Sequence, residues 1–350
     1  MVKDDFLGLG RLAVDGTLRV TNIVEAMHRN IGSVPGTALI YESVRAIARL
    51  TGRAIDLAPA LPEGASTAER EAMLAALNGV LGDHLAATHN PLAIAMRLRH
   101  RGATGGKLVV LLHGLCMNDR QWTRQRHNHG RALARELGYT PVYLHYNSGL
   151  HVSTNGREFA GQLEALLAGW PVPVEELAIV GHSMGGLVSR SAWHYGTAAG
   201  HTWPGRLNKL VFLGTPHHGA PLERAGNWID VALGLSRYTA PLASIGKVRS
   251  AGITDLRYGN LLDEDWEDRD RFAREGDRRR PVPLPETAQC FAIAAGGDRI
   301  VPVESALGRH HDPARSLAFP PSHQMVGDGM NHWDLLNRRA VYEQLLRWLT

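Results

Sequence analysis

The residues best able to do chemistry lie in the run Ala178-Ile179-Val180-Gly181-His182-Ser183-Met184-Gly185-Gly186. A serine hydroxyl is a weak nucleophile until a sharp turn presents it and a neighbouring base takes its proton. Gly181-His182-Ser183-Met184-Gly185 suits such a turn. The apolar run before it predicts a strand, the pattern after it predicts a helix, and Ser183 falls between the two. The positions two before and two after the serine must be tiny, because the backbones crowd there. Gly181 and Gly185 meet that demand, and Gly186 gives further room. The N-terminus of the following helix brings positive potential to the place where an oxyanion would form.

A serine nucleophile needs a base, and the base needs an acid to orient it. After a strand–serine–helix turn, the acid and then the base follow in chain order. Ile293-Ala294-Ala295-Gly296-Gly297-Asp298 places Asp298 just past the end of a predicted strand, with Glu304 and Asp328 as competitors for the acid role. Gly329-Met330-Asn331-His332-Trp333 places His332 in a loop before the terminal helix. His310 and His311 follow Asp298 too closely, and His323, between a Pro-Pro pair and a Gly-rich loop, is less well placed. An oxyanion hole requires two backbone N–H groups. One is expected from Met184, and the other from Leu115, which follows the strand end His113-Gly114. The chain has no H-E-x-x-H, C-x-x-C or P-loop pattern, and His217-His218 and His310-His311 read as loop histidines. No metal and no cofactor are expected.

The elements that must position these residues are legible as short apolar runs. Lys107–Gly114, Pro141–Ser148, Glu176–Ser183, Lys209–Pro216 and Gln289–Gly297 are rich in Val, Ile and Leu and end in Gly, Ser or Pro. Helical stretches, such as Arg157–Gly169 and Met184–Gly196, separate some of them. That alternation predicts a mostly parallel sheet buried on both faces by helices, a doubly wound α/β architecture. Arg338–Thr350 reads as a final amphipathic helix. Residues 1–102 are expected to form a helical N-terminal extension. Within it, Thr37–Ala58 carries an apolar face opposite arginines, and a second helix is expected to start at the capping pattern of Thr67. Residues 103–350 form the main domain. About 70 residues separate Gly214 from Gln289, too many for an ordinary crossover, so a cap or lid is expected at about 220–288. Its apolar stretch puts Trp228, Ile229, Val231 and Leu233 at the entrance to the site, with the charged run Asp263–Pro281 toward water.

Composition excludes several classes. The 44% hydrophobic and 21% charged residues in 350 suit a globular protein with a large core. The net charge is only +4 and the basic residues are scattered apart from Arg278, Arg279 and Arg280, so no nucleic-acid partner is expected. Two cysteines, Cys116 and Cys290, do not make a disulfide scaffold, and each is expected as a small buried hydrophobe. The N-terminus has two early acids and no apolar h-region, and no run of about 18 apolar residues occurs. A cytoplasmic protein is expected, with peripheral membrane contact through the N-terminal helices or the lid as the sharper alternative to plain packing.

With these residues in hand, the sequence resembles the α/β-hydrolases of the lipase/esterase superfamily, and is most similar to the bacterial PGAP1-like and triacylglycerol-lipase-like groups. The resemblance rests on Leu108–Leu115, Ile179–Arg190, Val211–Glu223, Ala295–Pro302 and Asn331–Asn337. It implies an α/β-hydrolase fold and cofactor-free hydrolysis of carboxylic esters of small molecules or lipids. It also implies Ser183 as nucleophile, Asp298 as acid and His332 as base. Thioesterases, lactonases, polyester depolymerases and acyltransferases use the same constellation. A non-catalytic scaffold on the same fold is the reading from a different class.

Overall fold

A computed structural model of the chain describes residues 5, 7–18, 45, 67–100, 102–220, 249–270 and 276–350. The chain forms two units, Met1–Thr67 with Leu85–Ala93, and Ala68–His84 with Ile94–Thr350. In the first unit, residues 7–18 are helical. Asn90 ties this helix to the later segment: its Nδ2–H donates to the Gly8 carbonyl at 3.0 Å, and its Oδ1 accepts from the Leu92 N–H at 3.0 Å.

The second unit is built on one seven-stranded sheet. The strands are β1 (Arg97–His100), β2 (Lys107–Leu112), β3 (Thr140–His145), β4 (Glu176–His182), β5 (Leu207–Leu213), β6 (Gln289–Ala295) and β7 (Gln324–Gly327). Their order is β1-β3-β2-β4-β5-β6-β7. Only β1 runs antiparallel, against β3; the other pairs are parallel. This is the α/β-hydrolase arrangement expected from the apolar runs. Its first strand in chain order starts at Arg97. The Arg-Leu-Arg-His sequence of β1 has no apolar run, because an edge strand faces water and needs none.

Alternation along the strands divides the core into two layers. Leu108, Val110 and Leu112 of β2, Ile179 of β4 and Phe212 of β5 join one layer. Val109, Leu111, Val180 and Val211 join the other. Helices α1 (Ala68–Ala87), α3 (Val152–Ala168) and α4 (Met184–Ala198) supply Val80, Phe159, Leu163 and Leu187 to the first layer. Helices α2 (His129–Leu137) and α5 (Arg339–Leu349) supply Leu133, Val341 and Leu345 to the second. The expected start after Thr67 and the expected terminal helix both match these bounds. The ends of α2 follow simple rules: Asn128 Oδ1 accepts the Arg131 N–H, and Gly138 closes the helix at φ 72°.

The chain runs from β2 outward to β3, then returns to place β4 on the other side of β2. That reversal opens a crevice beyond the carboxyl ends of β2 and β4, where ligands bind in sheets of this kind. Between β5 and β6 the described residues include one short α-helix, Ala251–Asp255, a 3-10 turn at Asp263–Asp265, and no strand. This stretch is joined to the core: Leu256, Leu261, Leu262 and Val282 are buried in the first layer. Trp228, Ile229, Val231 and Leu233, and all of the expected helix over 37–58 except Arg45, lie outside the described residues. Cys116 and Cys290 are buried free thiols, and burial pushes the pKa of each up to about 12. Among the described residues no helix is long and apolar enough to cross a membrane.

Candidate active site

Ser183 ends β4 and opens α4 with φ 54° and ψ −126°, a left-handed conformation that non-glycine residues seldom adopt. Such a residue stores on the order of 1–3 kcal/mol, so its neighbours must hold it there. The glycines do so by allowing close approach. A Cβ on Gly185 would fall 2.3 Å from the Leu112 carbonyl oxygen, and one on Gly181 would fall 2.6 Å from the Gly186 Cα. No larger residue fits either place. The Ser183 N–H donates to the Leu213 carbonyl at 2.8 Å, which locks the turn to the end of β5. The side chain is 1% exposed as part of a buried residue, and its Oγ makes no hydrogen bond among the described residues.

Asp298 and His332 come together from either side of β7. His332 Nδ1–H donates to Asp298 Oδ2 at 2.6 Å, and the two side chains are 2% and 1% exposed. The other carboxylate oxygen, Oδ1, accepts the N–H groups of Ile300 at 2.7 Å and Val301 at 3.0 Å. Both oxygens are therefore fixed. The ring sits against Gly214, where a Cβ would meet His332 Cε1 at 3.2 Å. Leu213 and Gly214 thus touch Ser183 through the backbone and His332 through the ring.

The loop after β2 closes the other side. A Cβ on Gly114 would approach Ser183 Cβ to 2.9 Å, so this loop lies directly on the serine. It is held by its own contacts. The Met117 N–H donates to the Gly114 carbonyl, the Cys116 N–H donates to Ser148 Oγ, and Tyr146 Oη donates to the His113 carbonyl at 2.7 Å. His113 Nδ1–H donates to the Gly114 carbonyl, and burial lowers its pKa to about 3, so the ring is neutral. Leu115 lies in this loop, and Met184 is the first residue of α4.

Of the competing residues, Asp328 lies by Gly296 but is exposed, and the others fall elsewhere. Glu304 is exposed and pairs with Arg309. His323 Nδ1–H donates to the Cys290 carbonyl near the start of β6, at the opposite end of that strand from Asp298. His310 packs at a tilt against His311 and His218, and Asp277 lies 4.0 Å from its Nε2. One residue at the site escapes sequence reasoning. His182 Nε2–H donates to the His332 carbonyl at 3.2 Å, and its ring lies 4.8 Å from the His332 ring. Burial holds its pKa well below the ordinary histidine range, so it is a neutral brace. It occupies the position before the serine, where the turn motif accepts any residue, so nothing in the spacing marks it.

The family of the PGAP1-like alpha/beta domain matches residues 103–279, just over half of the chain. The match spans Leu115, Ser183 and Met184; Asp298 and His332 lie beyond it. No curated protein matches the chain. Among solved structures, a mature lipase of Bacillus licheniformis is similar at 17% identity, covering 73% of this chain and 98% of its own, with a TM-score of 0.46. An esterase of Pyrococcus furiosus is similar at 13% identity, covering 70% and 82%, with a TM-score of 0.42. A thermophilic esterase of Thermogutta terrifontis is similar at 16% identity, covering 73% and 92%, with a TM-score of 0.43.

Proposed function

The chain belongs to the PGAP1-like alpha/beta domain family, and from that premise we propose that it is a serine hydrolase of carboxylic esters. The observation that carries the reading is the buried 2.6 Å contact between His332 Nδ1 and Asp298 Oδ2, set beside a strained, buried Ser183. In this reading Ser183 Oγ attacks the ester carbonyl carbon and His332 Nε2 takes its proton. Asp298 holds the imidazolium, and the N–H groups of Leu115 and Met184 receive the oxyanion. His332 then protonates the leaving alkoxide, and water, activated by the same imidazole, releases the acid from the acyl-enzyme. The substrate is a small-molecule or lipid ester. Thioesters and lactones present the same carbonyl, and pocket shape and water access choose among them.

Two measurements on the purified protein test this. A fluorophosphonate probe should label the wild type at Ser183 and leave Ser183→Ala unlabelled. A series of p-nitrophenyl esters from short to long acyl chains should be hydrolysed by the wild type, with nearly all turnover lost in Ser183→Ala. A folded wild type that neither takes the label nor turns over any ester is a binding protein on this fold.

A further inference from the structure

The loop that lies on Ser183 has its peptide planes pinned one after another. The plane between His113 and Gly114 is held through the His113 carbonyl, which accepts Tyr146 Oη–H at 2.7 Å. The next plane carries the Leu115 N–H. Its carbonyl, that of Gly114, accepts His113 Nδ1–H at 2.9 Å and the Met117 N–H at 3.3 Å. In a trans peptide the carbonyl and the N–H point opposite ways, so these bonds aim the Leu115 N–H away from themselves. The third plane, between Leu115 and Cys116, is held from its N–H, which donates to Ser148 Oγ at 3.0 Å.

The third bond carries the most strain. Cys116 has φ 58°, the left-handed region that residues other than glycine seldom adopt. A residue stays there only while its surroundings hold it. Cys116 and Ser148 are both buried, and a buried N–H that loses its acceptor is costly. Without the Ser148 hydroxyl the chain relaxes by turning about the Leu115 and Cys116 dihedrals, and the adjoining Leu115 N–H turns with it.

Ser148 is itself clamped by three helices. Asn147 Nδ2–H donates to the Gly82 carbonyl of α1 at 2.9 Å, and Asn155 Nδ2–H of α3 donates to the Asn147 carbonyl at 3.0 Å. The Gly252 N–H, in the short helix Ala251–Asp255, donates to the Gly149 carbonyl at 3.0 Å. That helix presses on the loop so closely that a Cβ on Gly252 would fall 2.1 Å from the Ser148 carbonyl oxygen. The hydroxyl therefore sits on a rigid platform, as a group that sets another group's direction must.

We propose that Ser148 is a positioning residue for ester hydrolysis: by holding the Cys116 N–H, its hydroxyl sets the direction in which Leu115 N–H meets the oxyanion. The inference rests on the reading of Ser183 as nucleophile and Leu115 as oxyanion donor. Such a donor is worth most in the transition state, where the charge has moved onto the oxygen. A misaimed Leu115 N–H therefore lowers kcat and leaves KM nearly unchanged.

Steady-state hydrolysis of p-nitrophenyl butyrate by the full chain tests this. Ser148→Ala should lower kcat roughly tenfold to a hundredfold, with KM within about twofold of wild type. Butaneboronic acid, whose tetrahedral adduct on Ser183 puts an oxygen where the oxyanion forms, should bind Ser148→Ala more weakly by a similar factor. A residue that only supports the fold would lower the urea midpoint and move neither value. Ser148→Thr and Ser148→Val share one shape and differ in the hydroxyl. The Thr variant should exceed the Val variant in kcat by about tenfold, which decides the matter should Ser148→Ala not fold. The proposal is overturned by a folded Ser148→Ala with kcat and boronate affinity like wild type, by a loss confined to KM, or by equal kcat in the Thr and Val variants. A wild type that neither hydrolyses esters nor takes a fluorophosphonate label overturns the hydrolase reading, and this inference with it. An active wild type with an equally active Ser148→Ala overturns this inference alone.

Discussion

At the scale of single residues, Asp298 is a carboxylate with both oxygens in use. Oδ1 accepts two backbone N–H groups and Oδ2 accepts His332 Nδ1–H. Asn can satisfy only one of these sides as an acceptor. If its oxygen keeps Ile300 and Val301, its amide faces His332 and forces Nδ1 to accept, which moves the proton to Nε2. An imidazole protonated at Nε2 cannot take a proton from Ser183. Asp298→Asn should therefore lower kcat for ester hydrolysis by a factor on the order of 10⁴, with circular dichroism unchanged. A variant within a few fold of wild type would remove Asp298 from the mechanism. His182 acts on the same ring through one backbone bond. His182→Leu deletes that donor and leaves the His332 carbonyl without it, a loss of about 1–3 kcal/mol. Stopped-flow hydrolysis should show kcat down by roughly tenfold or more at little-changed KM, because the base shifts while the acyl pocket does not.

At the scale of elements, the turn at Ser183 demands glycine at some places and merely tolerates it at others. Gly185 faces the carbonyls of Leu112, which ends β2, and of His113, which follows it, where a Cβ would meet backbone at 2.3 and 2.7 Å. Backbone cannot rotate aside, so Gly185→Ala must push α4 off β2. We expect it to lower stability by at least about 1–3 kcal/mol and to abolish fluorophosphonate labelling. Gly161 in α3 has nothing within 4 Å of a built Cβ and sits mid-helix. Gly161→Ala should raise stability by about 0.5–1 kcal/mol in urea unfolding, with activity unchanged. The same contrast explains what the sequence discloses. The buried parallel strands are plain in it because burial on both faces demands continuous apolar runs, as in Leu108–Leu112 and Ala178–Val180. Ser183 is marked by the glycines its turn requires. Asp298 and His332 are found by chain order and loop position. β1 is hidden because an edge strand can be polar, and His182 is hidden because its task is to hold a carbonyl, which leaves no spacing to read. The helix Ala251–Asp255 and the buried Leu256, Leu261 and Leu262 are hidden for a related reason. Their apolar residues are too few and too irregular to declare a period.

At the scale of the whole molecule, the chain carries 18 histidines, and folding hides several in neutral form. Burial lowers the pKa of His113 and His129 to about 3, and holds His182 and His217 well below the ordinary value. In the unfolded chain each titrates near 6.5. Below that pH the unfolded state binds protons that the folded state refuses. The proton-binding difference favours unfolding, so stability rises with pH and is lost as pH falls from about 6.5 toward the folded values. His113 and His129 each cost about 1.4 kcal/mol per pH unit in that window, or roughly 2 kcal/mol between pH 7 and pH 5. His113 and His129 together cost on the order of 4 kcal/mol, a large share of the stability of a typical domain, and His182 and His217 act in the same direction. Urea unfolding followed at pH 7, 6 and 5 should therefore show the midpoint falling steeply below pH 6.5, with acid unfolding well above the carboxylate range. His129 offers a clean internal control. Its Nε2–H donates to the Leu335 carbonyl and its Nδ1 meets His127, at the start of α2. Glutamine keeps a donor there and cannot take up a proton. His129→Gln should reduce the slope of stability against pH by about one proton, or 1.4 kcal/mol per pH unit, whatever it does to stability at pH 7. A wild-type stability that stays level from pH 7 to pH 5, or a slope that His129→Gln leaves unchanged, would mean that these rings accept protons without unfolding the protein.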